Sequence, residues 1–129
     1  MRANLNISLY SYLDRPIFDV YMNGTDFLGA SARAFYGSNG VLLDQAISLG
    51  PQKVTWRLGG PESMVDNGKV VTAKNTPVLK DIPKDIKWLA LHIYDDETVE
   101  ITLSKGTPDE LDTVRGHKII EAWDKRHGK

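Results

Sequence analysis

The sequence predicts a mainly β fold with a C-terminal helix, and three observations lead to that prediction. Apolar and polar residues alternate with a period of two in most segments, which is typical of strands with one buried face. Residues that favour turns separate these segments at intervals of about 8–12 residues. One stretch near the C-terminus instead carries the start signals of a helix. We therefore expect a single-domain antiparallel β-sandwich or curled sheet of about seven strands.

Seven segments are predicted to form strands: 4–12, 17–22, 41–49, 52–58, 69–75, 86–94 and 98–104. The clearest is 52–58, in which alternation turns Trp56 toward the core. Segment 41–49 is either a strand or a short irregular apolar stretch. The first two strands are expected to form a meander, the second ending at a tight Asn23-Gly24 turn.

The C-terminal helical segment is predicted at about 108–126. Residues 107–110 read Thr-Pro-Asp-Glu, which combines a capping box with proline at the first helical position. A partial break is expected at Gly116. Beyond it, an apolar stripe of Ile119, Ile120 and Trp123 would dock the helix, which we expect to cover one end of the sheets.

Size and composition favour one globular domain that spans residues 1–129. A chain of 129 residues buries roughly two-thirds of its unfolded surface. Its 16 basic and 17 acidic residues create no net field to attract nucleic acid or anionic lipid. The absence of cysteine excludes disulfides and thiol nucleophiles. We expect no nucleic acid partner and no membrane span.

The N-terminal sequence lacks the continuous apolar core of an export signal. We expect a bacterial periplasmic location if an export leader precedes this sequence and is removed, and a cytoplasmic location otherwise.

The sequence offers no convincing catalytic set, so we predict that the chain is not an enzyme and needs no cofactor or metal. His92 lies mid-strand and is expected on the solvent side or the second face of its sheet. Ser63 is interpreted as a turn residue, because no nucleophile-elbow motif surrounds it. The acidic run 95–97 is interpreted as a solvated hairpin tip, because three adjacent acids cannot converge on one cation. His117 and His127 are expected to be solvated helix residues.

Two long loops are the predicted binding surface, within residues 25–40 and 59–68. The first carries Phe27, Arg33, Phe35 and Tyr36, the residue types that are enriched at protein-binding hot spots. The alternative is that Phe35 packs beneath its own loop.

The second loop carries Glu62, Met64 and Asp66. The alternative for these three is an ordinary solvated turn.

Two stretches of the sequence, 11–24 and 49–62, resemble a bacterial family of domains encoded beside type VI secretion phospholipase effectors. The first matching feature is Asp14-Arg15-Pro16-Ile17 leading into a strand that ends at Asn23-Gly24. The second is a Gly50-Pro51 turn that feeds the strand containing Val54 and Trp56. The resemblance covers roughly residues 7–80, and its motifs are structural. Relatives often carry cysteines in the middle segment and a leader, whereas this sequence contains no cysteine and we expect no leader within it.

The resemblance implies an immunity protein, an antitoxin that occludes a cognate secreted lipase and so protects the producing cell. Two alternatives remain open. One is a non-inhibitory adaptor or structural module of a secretion system, which would bind the effector without inhibiting it. The other is a small-molecule-binding β-sandwich or an unrecognised hydrolase. The oligomeric state is unknown from the sequence.

Overall fold

The computed structural model describes residues 2–13, 17–23, 26–27, 38–59, 62–63, 65–106 and 113–126. Its elements in chain order are β1 Arg2–Ser11, β2 Ile17–Met22, β3 Asp26–Phe27, β4 Ser38–Ser48, β5 Gly50–Pro51, β6 Val54–Leu58, β7 Val70–Thr72, β8 Val78–Leu79, β9 Trp88–Ile93, β10 Val99–Ser104 and α1 Val114–Arg126. The predicted mainly β class is confirmed, and each of the seven predicted strand segments overlaps one of these strands.

The first sheet has the strand order β10-β9-β1-β4. β9 and β10 form the predicted hairpin around the acidic turn, with Val99 opposite Ile93. β1 pairs with β4 in the antiparallel sense but with β9 in the parallel sense. The sheet is therefore mixed at one pair, where an antiparallel arrangement was expected throughout. A parallel neighbour requires a long crossover, which here is the whole stretch between β1 and β9.

The second sheet has the order β3-β2-β6-β7, and β5 pairs with β8 in a separate two-stranded sheet. The tight turn predicted after the second strand is confirmed at Asn23, which has a positive φ of 61° and precedes β3, an antiparallel neighbour of β2. The first two strands do not pair with each other in a meander, because β1 lies in the first sheet and β2 in the second. The chain changes sheets between them so that both can bury an apolar face in one core. The expected Gly50-Pro51 turn is also wrong: these residues form β5, opposite Leu79 and Val78.

The main hydrophobic core combines residues from both larger sheets. The first sheet contributes apolar side chains from its inner face, among them Ile7 and Leu91, while the second contributes Val54 and Trp56. Trp56 is only 1 % exposed, so the predicted core anchor is confirmed. A second, smaller cluster lies on the other face of the first sheet, around Tyr12 and Tyr94.

Two stretches form strands where the sequence predicted a loop or left the choice open. Segment 41–49 is strand rather than irregular, and β4 begins earlier than predicted, at Ser38. The predicted loop 25–40 consequently has a strand at each end, because β3 occupies Asp26–Phe27. The remainder of that loop, residue 25 and residues 28–37, lies outside the described residues.

Helix α1 begins at Val114 and runs without interruption through Gly116 to Arg126, so the predicted break is wrong. Thr113 Oγ1 accepts a hydrogen bond from the Gly116 N–H at 2.8 Å, the geometry of an N-cap bonded to the third helical residue. The glycine is thus part of the cap. The predicted capping box at 107–110 lies outside the described residues.

Ile119 packs against the smaller cluster, so the helix contacts a face of the first sheet rather than an end of both sheets. The backbone of Ile120 and Trp123 belongs to α1, and their side chains are not among those that the structure describes. Within the described part of the chain, no helix is long and apolar enough to cross a membrane.

Candidate functional site

The predicted binding residues are only partly described. Phe27 lies in β3, where its backbone pairs with Tyr21 of β2. Arg33, Phe35 and Tyr36 lie outside the described residues. Both placements of Phe35, exposed on the loop or packed beneath it, therefore stay predictions.

In the second predicted loop, Met64 also lies outside the described residues. Glu62 and Asp66 are both exposed in the connection between β6 and β7, residues 59–69, which we call the β6–β7 loop. Their role in binding stays a prediction, and an ordinary solvated turn stays its alternative.

The base of the β6–β7 loop is held by backbone hydrogen bonds. The Gly68 N–H donates to Leu58 O at 2.8 Å, and the Leu58 N–H donates to Lys69 O at 2.9 Å. Arg57 Nη1 donates to Gly68 O at 2.8 Å, which adds a side-chain bond to the same place. The loop therefore projects from a closed hairpin rather than from a single flexible strand end.

The exposed part of this loop combines an apolar side chain with acids. Val65 is 74 % exposed, although a valine side chain is more often buried. Exposed Glu62 and Asp66 lie on either side of it in the sequence. Asp66 has a positive φ of 65° and its carbonyl accepts from the Lys69 N–H at 2.9 Å, so a defined turn presents these groups.

The described part of the first predicted loop includes β3, the end strand of the second sheet and the antiparallel neighbour of β2. β2 and β6 are antiparallel, with Ile17 opposite Leu58. β3 is antiparallel to β2, so β3 runs toward the end at which Leu58 enters the β6–β7 loop.

An aromatic cluster that the sequence reasoning missed lies on the outer face of the first sheet. It consists of Tyr10, Tyr12, His92 and Tyr94, and we call it the aromatic cluster. The His92 ring stacks on the Tyr10 ring with centroids 5.2 Å apart and on the Tyr12 ring at 5.9 Å. Tyr12 and Tyr94 stack at 5.1 Å. Together the four rings form a continuous layer across β1 and β9.

His92 has a polar partner on each ring nitrogen. Nδ1 lies 2.9 Å from the Tyr12 hydroxyl, and Nε2 lies 3.1 Å from Thr102 Oγ1. A neutral imidazole donates from one nitrogen and accepts at the other, and hydroxyl groups can serve both roles. His92 is 0 % exposed, so the solvent-side expectation is wrong and the second-face expectation is right. The stacking and the two polar contacts of the buried His92 ring are those of a residue that stabilises the fold.

Tyr94 links the aromatic cluster to the start of α1. Its hydroxyl donates to Glu100 Oε1 at 2.8 Å and lies 3.0 Å from Thr113 Oγ1, the helix cap. Burial, with smaller contributions from the Glu100 carboxylate, raises the pKa of Tyr94 to about 12. The Thr113 hydroxyl and the Arg115 guanidinium oppose this rise.

We expect the free energy of unfolding to fall as the pH rises from about 10 to about 12, because unfolded Tyr94 releases its proton before folded Tyr94 does. The stabilisation that Tyr94 contributes is fully present below the pKa of the unfolded state. It is lost as the pH rises through the pKa of folded Tyr94, about 12. Urea unfolding across this pH range measures it. A Tyr94→Phe variant cannot release that proton, so its stability should depend less steeply on pH. Equal slopes for both proteins would contradict the raised pKa.

Arg115 connects α1 to the β9–β10 turn. Its Nη2 lies 2.9 Å from Asp96 Oδ2, its Nη1 donates to Thr98 Oγ1 at 2.9 Å, and its Cζ lies 4.1 Å from the centre of the Tyr94 ring. The Thr98 hydroxyl, followed by Arg115, holds the pKa of Asp96 below its usual value. The acidic turn is solvent-exposed as predicted, and one of its carboxylates also anchors the helix.

A sequence signal for the aromatic cluster existed. Tyr10 and Tyr12 are two residues apart on one predicted strand, and His92 and Tyr94 are two apart on another. Alternate residues of a strand share a face, so each pair predicts an aromatic second face. What the pattern cannot supply is the pairing of these two strands. In the described part of the chain, no group of three or more His, Asp or Glu side chains is placed to hold a metal ion.

Comparison of the chain with models of known protein families, with curated proteins and with solved structures finds no match.

Proposed function

We propose that this chain is an immunity protein that binds a cognate type VI secretion phospholipase or lipase effector and neutralises it by occlusion. The resemblance of residues 11–24 and 49–62 to the immunity family motivates the proposal. The observation that carries it is the β6–β7 loop, where a hairpin held by hydrogen bonds at its base exposes Val65 beside Glu62 and Asp66. Such a loop suits recognition of another protein.

The hairpin reduces the entropy that binding would cost. Ordering a flexible loop opposes association, whereas a loop whose base is already hydrogen-bonded loses less freedom when a partner docks. A partner could also contact residues 25–40, since β3 runs toward the same end of the second sheet. Two loops of this length, with the neighbouring sheet face, are sufficient for a standard interface of about 1,200–2,000 Å².

Replacing Arg33, Phe35 and Tyr36 together with alanine is expected to weaken binding of the effector by at least about 30-fold, the effect of losing a hot spot worth about 2 kcal/mol. Inhibition should weaken with it. Titration calorimetry measures the binding, and a phospholipase assay with increasing amounts of the chain measures the inhibition. The probe is a purified type VI phospholipase effector from the same bacterium.

A matched control keeps this test specific. Lys118 is exposed on α1, so Lys118→Ala should leave both affinity and inhibition unchanged. A Glu62→Ala, Asp66→Ala double variant tests the β6–β7 loop separately and should also weaken binding. If the folded triple variant binds and inhibits normally, the first loop is not part of the interface.

The same assay distinguishes the alternative functions. An adaptor would bind the effector while phospholipase activity stays at its uninhibited level. A small-molecule-binding or hydrolytic domain would show no affinity for the effector. Either result would overturn the immunity proposal.

A further inference from the structure

The direction of the backbone groups along β9 shows which side of each residue is already hydrogen-bonded. In a strand with two neighbours, successive residues direct their N–H and C=O groups alternately to one neighbour and the other. The Asn6 N–H donates to Lys87 O at 2.8 Å, and the Tyr12 N–H donates to Ile93 O at 2.9 Å. The odd-numbered residues of β9 therefore bond to β1, and the even-numbered ones face β10.

On β10, the residues opposite those even-numbered positions are Glu100, Thr102 and Ser104. Their backbone groups consequently face β9. The N–H and C=O groups of Ile101 and Leu103 face the opposite way, toward the outer edge of the first sheet, since β10 is the end strand. The β9–β10 register is regular, without a bulge that would twist this edge away.

The outer edge of β10 is closed at its start. Asn75 Oδ1 accepts from the Val99 N–H at 2.8 Å, and Asn75 Nδ2 donates to Val99 O at 2.7 Å, as a neighbouring strand would. Beyond Val99, the described part of the chain supplies no such partner to Ile101 or Leu103. Both of these side chains are only partly buried against the core. A second strand would satisfy the backbone groups and extend the sheet.

We propose that Glu100–Ser104 is a self-association edge, at which two copies of this chain pair their β10 strands in the antiparallel sense about a two-fold axis at Thr102. Ile101 of each copy then faces Leu103 of the other, and these pairs exchange hydrogen bonds. Thr102 faces Thr102. Pairing by one self-complementary segment is the isologous contact that a two-fold dimer requires.

Backbone and charge both favour this register over its neighbours. In this register, the outward-facing backbone groups of Ile101 and Leu103 both lie opposite outward-facing backbone groups of the other copy. It also places Glu100 opposite Ser104, so no two like charges lie directly across the junction. A register that set Glu100 opposite Glu100 would bring like charges together and would run into the segment that holds Val99.

The resulting dimer is weak. Five residues of paired strand bury far less than the roughly 1,200 Å² of a standard stable interface. We expect a monomer at low micromolar concentration and reversible dimerisation toward millimolar concentration. This edge belongs to the first sheet, and the inference does not depend on the proposed immunity function.

Charge variants at Ser104 test the pairing by sedimentation equilibrium. Ser104→Lys would place a cation opposite Glu100 twice in the dimer, and Ser104→Glu would place an anion there twice. Both variants lose the same 2.7 Å bond from Ser104 Oγ to Gly106 O, so they control for each other. We expect the lysine variant to dimerise at least roughly tenfold more tightly than the glutamate variant. Equal dissociation constants, or monomers throughout at about 1 mM, would overturn the proposal.

A cysteine variant tests the register itself, because the natural sequence has no cysteine to interfere. At Thr102 the paired residues are not hydrogen-bonded to each other, so their Cα atoms lie about 4.5 Å apart, within the range of a disulfide. Thr102→Cys is expected to form a cross-linked dimer under mild oxidation. Glu100→Cys should not, because its two copies lie roughly 13 Å apart along the strands. Equal cross-linking of both variants would exclude the register.

Discussion

Replacing Trp56 with alanine is expected to lower the free energy of unfolding by roughly 3–5 kcal/mol, the range for large aromatic truncations in a core. Trp56 lies in the middle of β6 and is 1 % exposed in the core between the two larger sheets. Its removal leaves a large cavity that the neighbouring strands cannot fill, because the strand register holds them apart. Urea unfolding monitored by far-UV circular dichroism measures the loss. An unchanged unfolding midpoint would contradict the position of Trp56 in the core.

Trp56→Phe is the matched control, and we expect a much smaller loss, below roughly 1.5 kcal/mol. Phenylalanine keeps an aromatic ring in the core. It also removes the indole Nε1–H, which is buried without a hydrogen-bond partner among the described residues. A buried donor without a partner is destabilising, so its removal offsets part of the lost packing. If the phenylalanine variant were as unstable as the alanine variant, the indole N–H would have to gain stability from a partner outside the described residues.

Replacing His92 with alanine is expected to lower the free energy of unfolding by roughly 3 kcal/mol. The change removes a fully buried ring that stacks on Tyr10 and Tyr12. It also takes away the ring nitrogens that lie within hydrogen-bond distance of the Tyr12 hydroxyl and Thr102 Oγ1. Thermal and urea unfolding near neutral pH measure the effect.

A Tyr12→Phe variant separates the hydrogen bond from the stacking around His92. It removes one hydroxyl and keeps both aromatic rings, so we expect a cost of about 1 kcal/mol. The prediction for the aromatic cluster is wrong if His92→Ala is no more destabilising than Tyr12→Phe. Loss of effector binding in a folded His92→Ala variant would instead indicate a role beyond stability.

The stability variants and the binding variants address different surfaces, which makes their results easy to distinguish. Trp56 and His92 lie in separate buried clusters, whereas Glu62 and Asp66 are exposed on the β6–β7 loop. Surface substitutions away from caps and buried networks usually change stability by no more than about 0.5 kcal/mol. The two loop substitutions should therefore change affinity without a comparable change in the unfolding midpoint.

Local pattern was sufficient to predict most strands and the main core anchor. The alternation around Trp56 placed its side chain in the core, and the acidic run at 95–97 marked the β9–β10 hairpin. The alternation and the turn each depend on residues that are close together in the chain, so the sequence is sufficient to predict them. The predicted break at Gly116 was wrong, because Gly116 is the third residue of a helix that Thr113 caps, whereas glycine suggested an interruption.

The candidate site was predictable only as a list of residue types. Loop composition singled out Glu62 and Asp66, and the structure adds that a hydrogen-bonded hairpin base supports them. The exposure of Val65 was not predictable, because the period of a strand does not extend into a turn. Arg33, Phe35, Tyr36 and Met64 remain predictions from composition.

The sequence by itself determined that this is a mainly β protein and where seven of its strands approximately lie, because both follow from a two-residue period and local turn chemistry. Only the tertiary structure decided that β1 and β2 lie in different sheets, that β1 runs parallel to β9, and that an aromatic layer centred on His92 is buried. Which strands pair depends on how segments that are far apart in the sequence bury their apolar side chains together. Residues as far apart as Tyr12 and His92 become neighbours only when the core closes, and no local pattern encodes that distance.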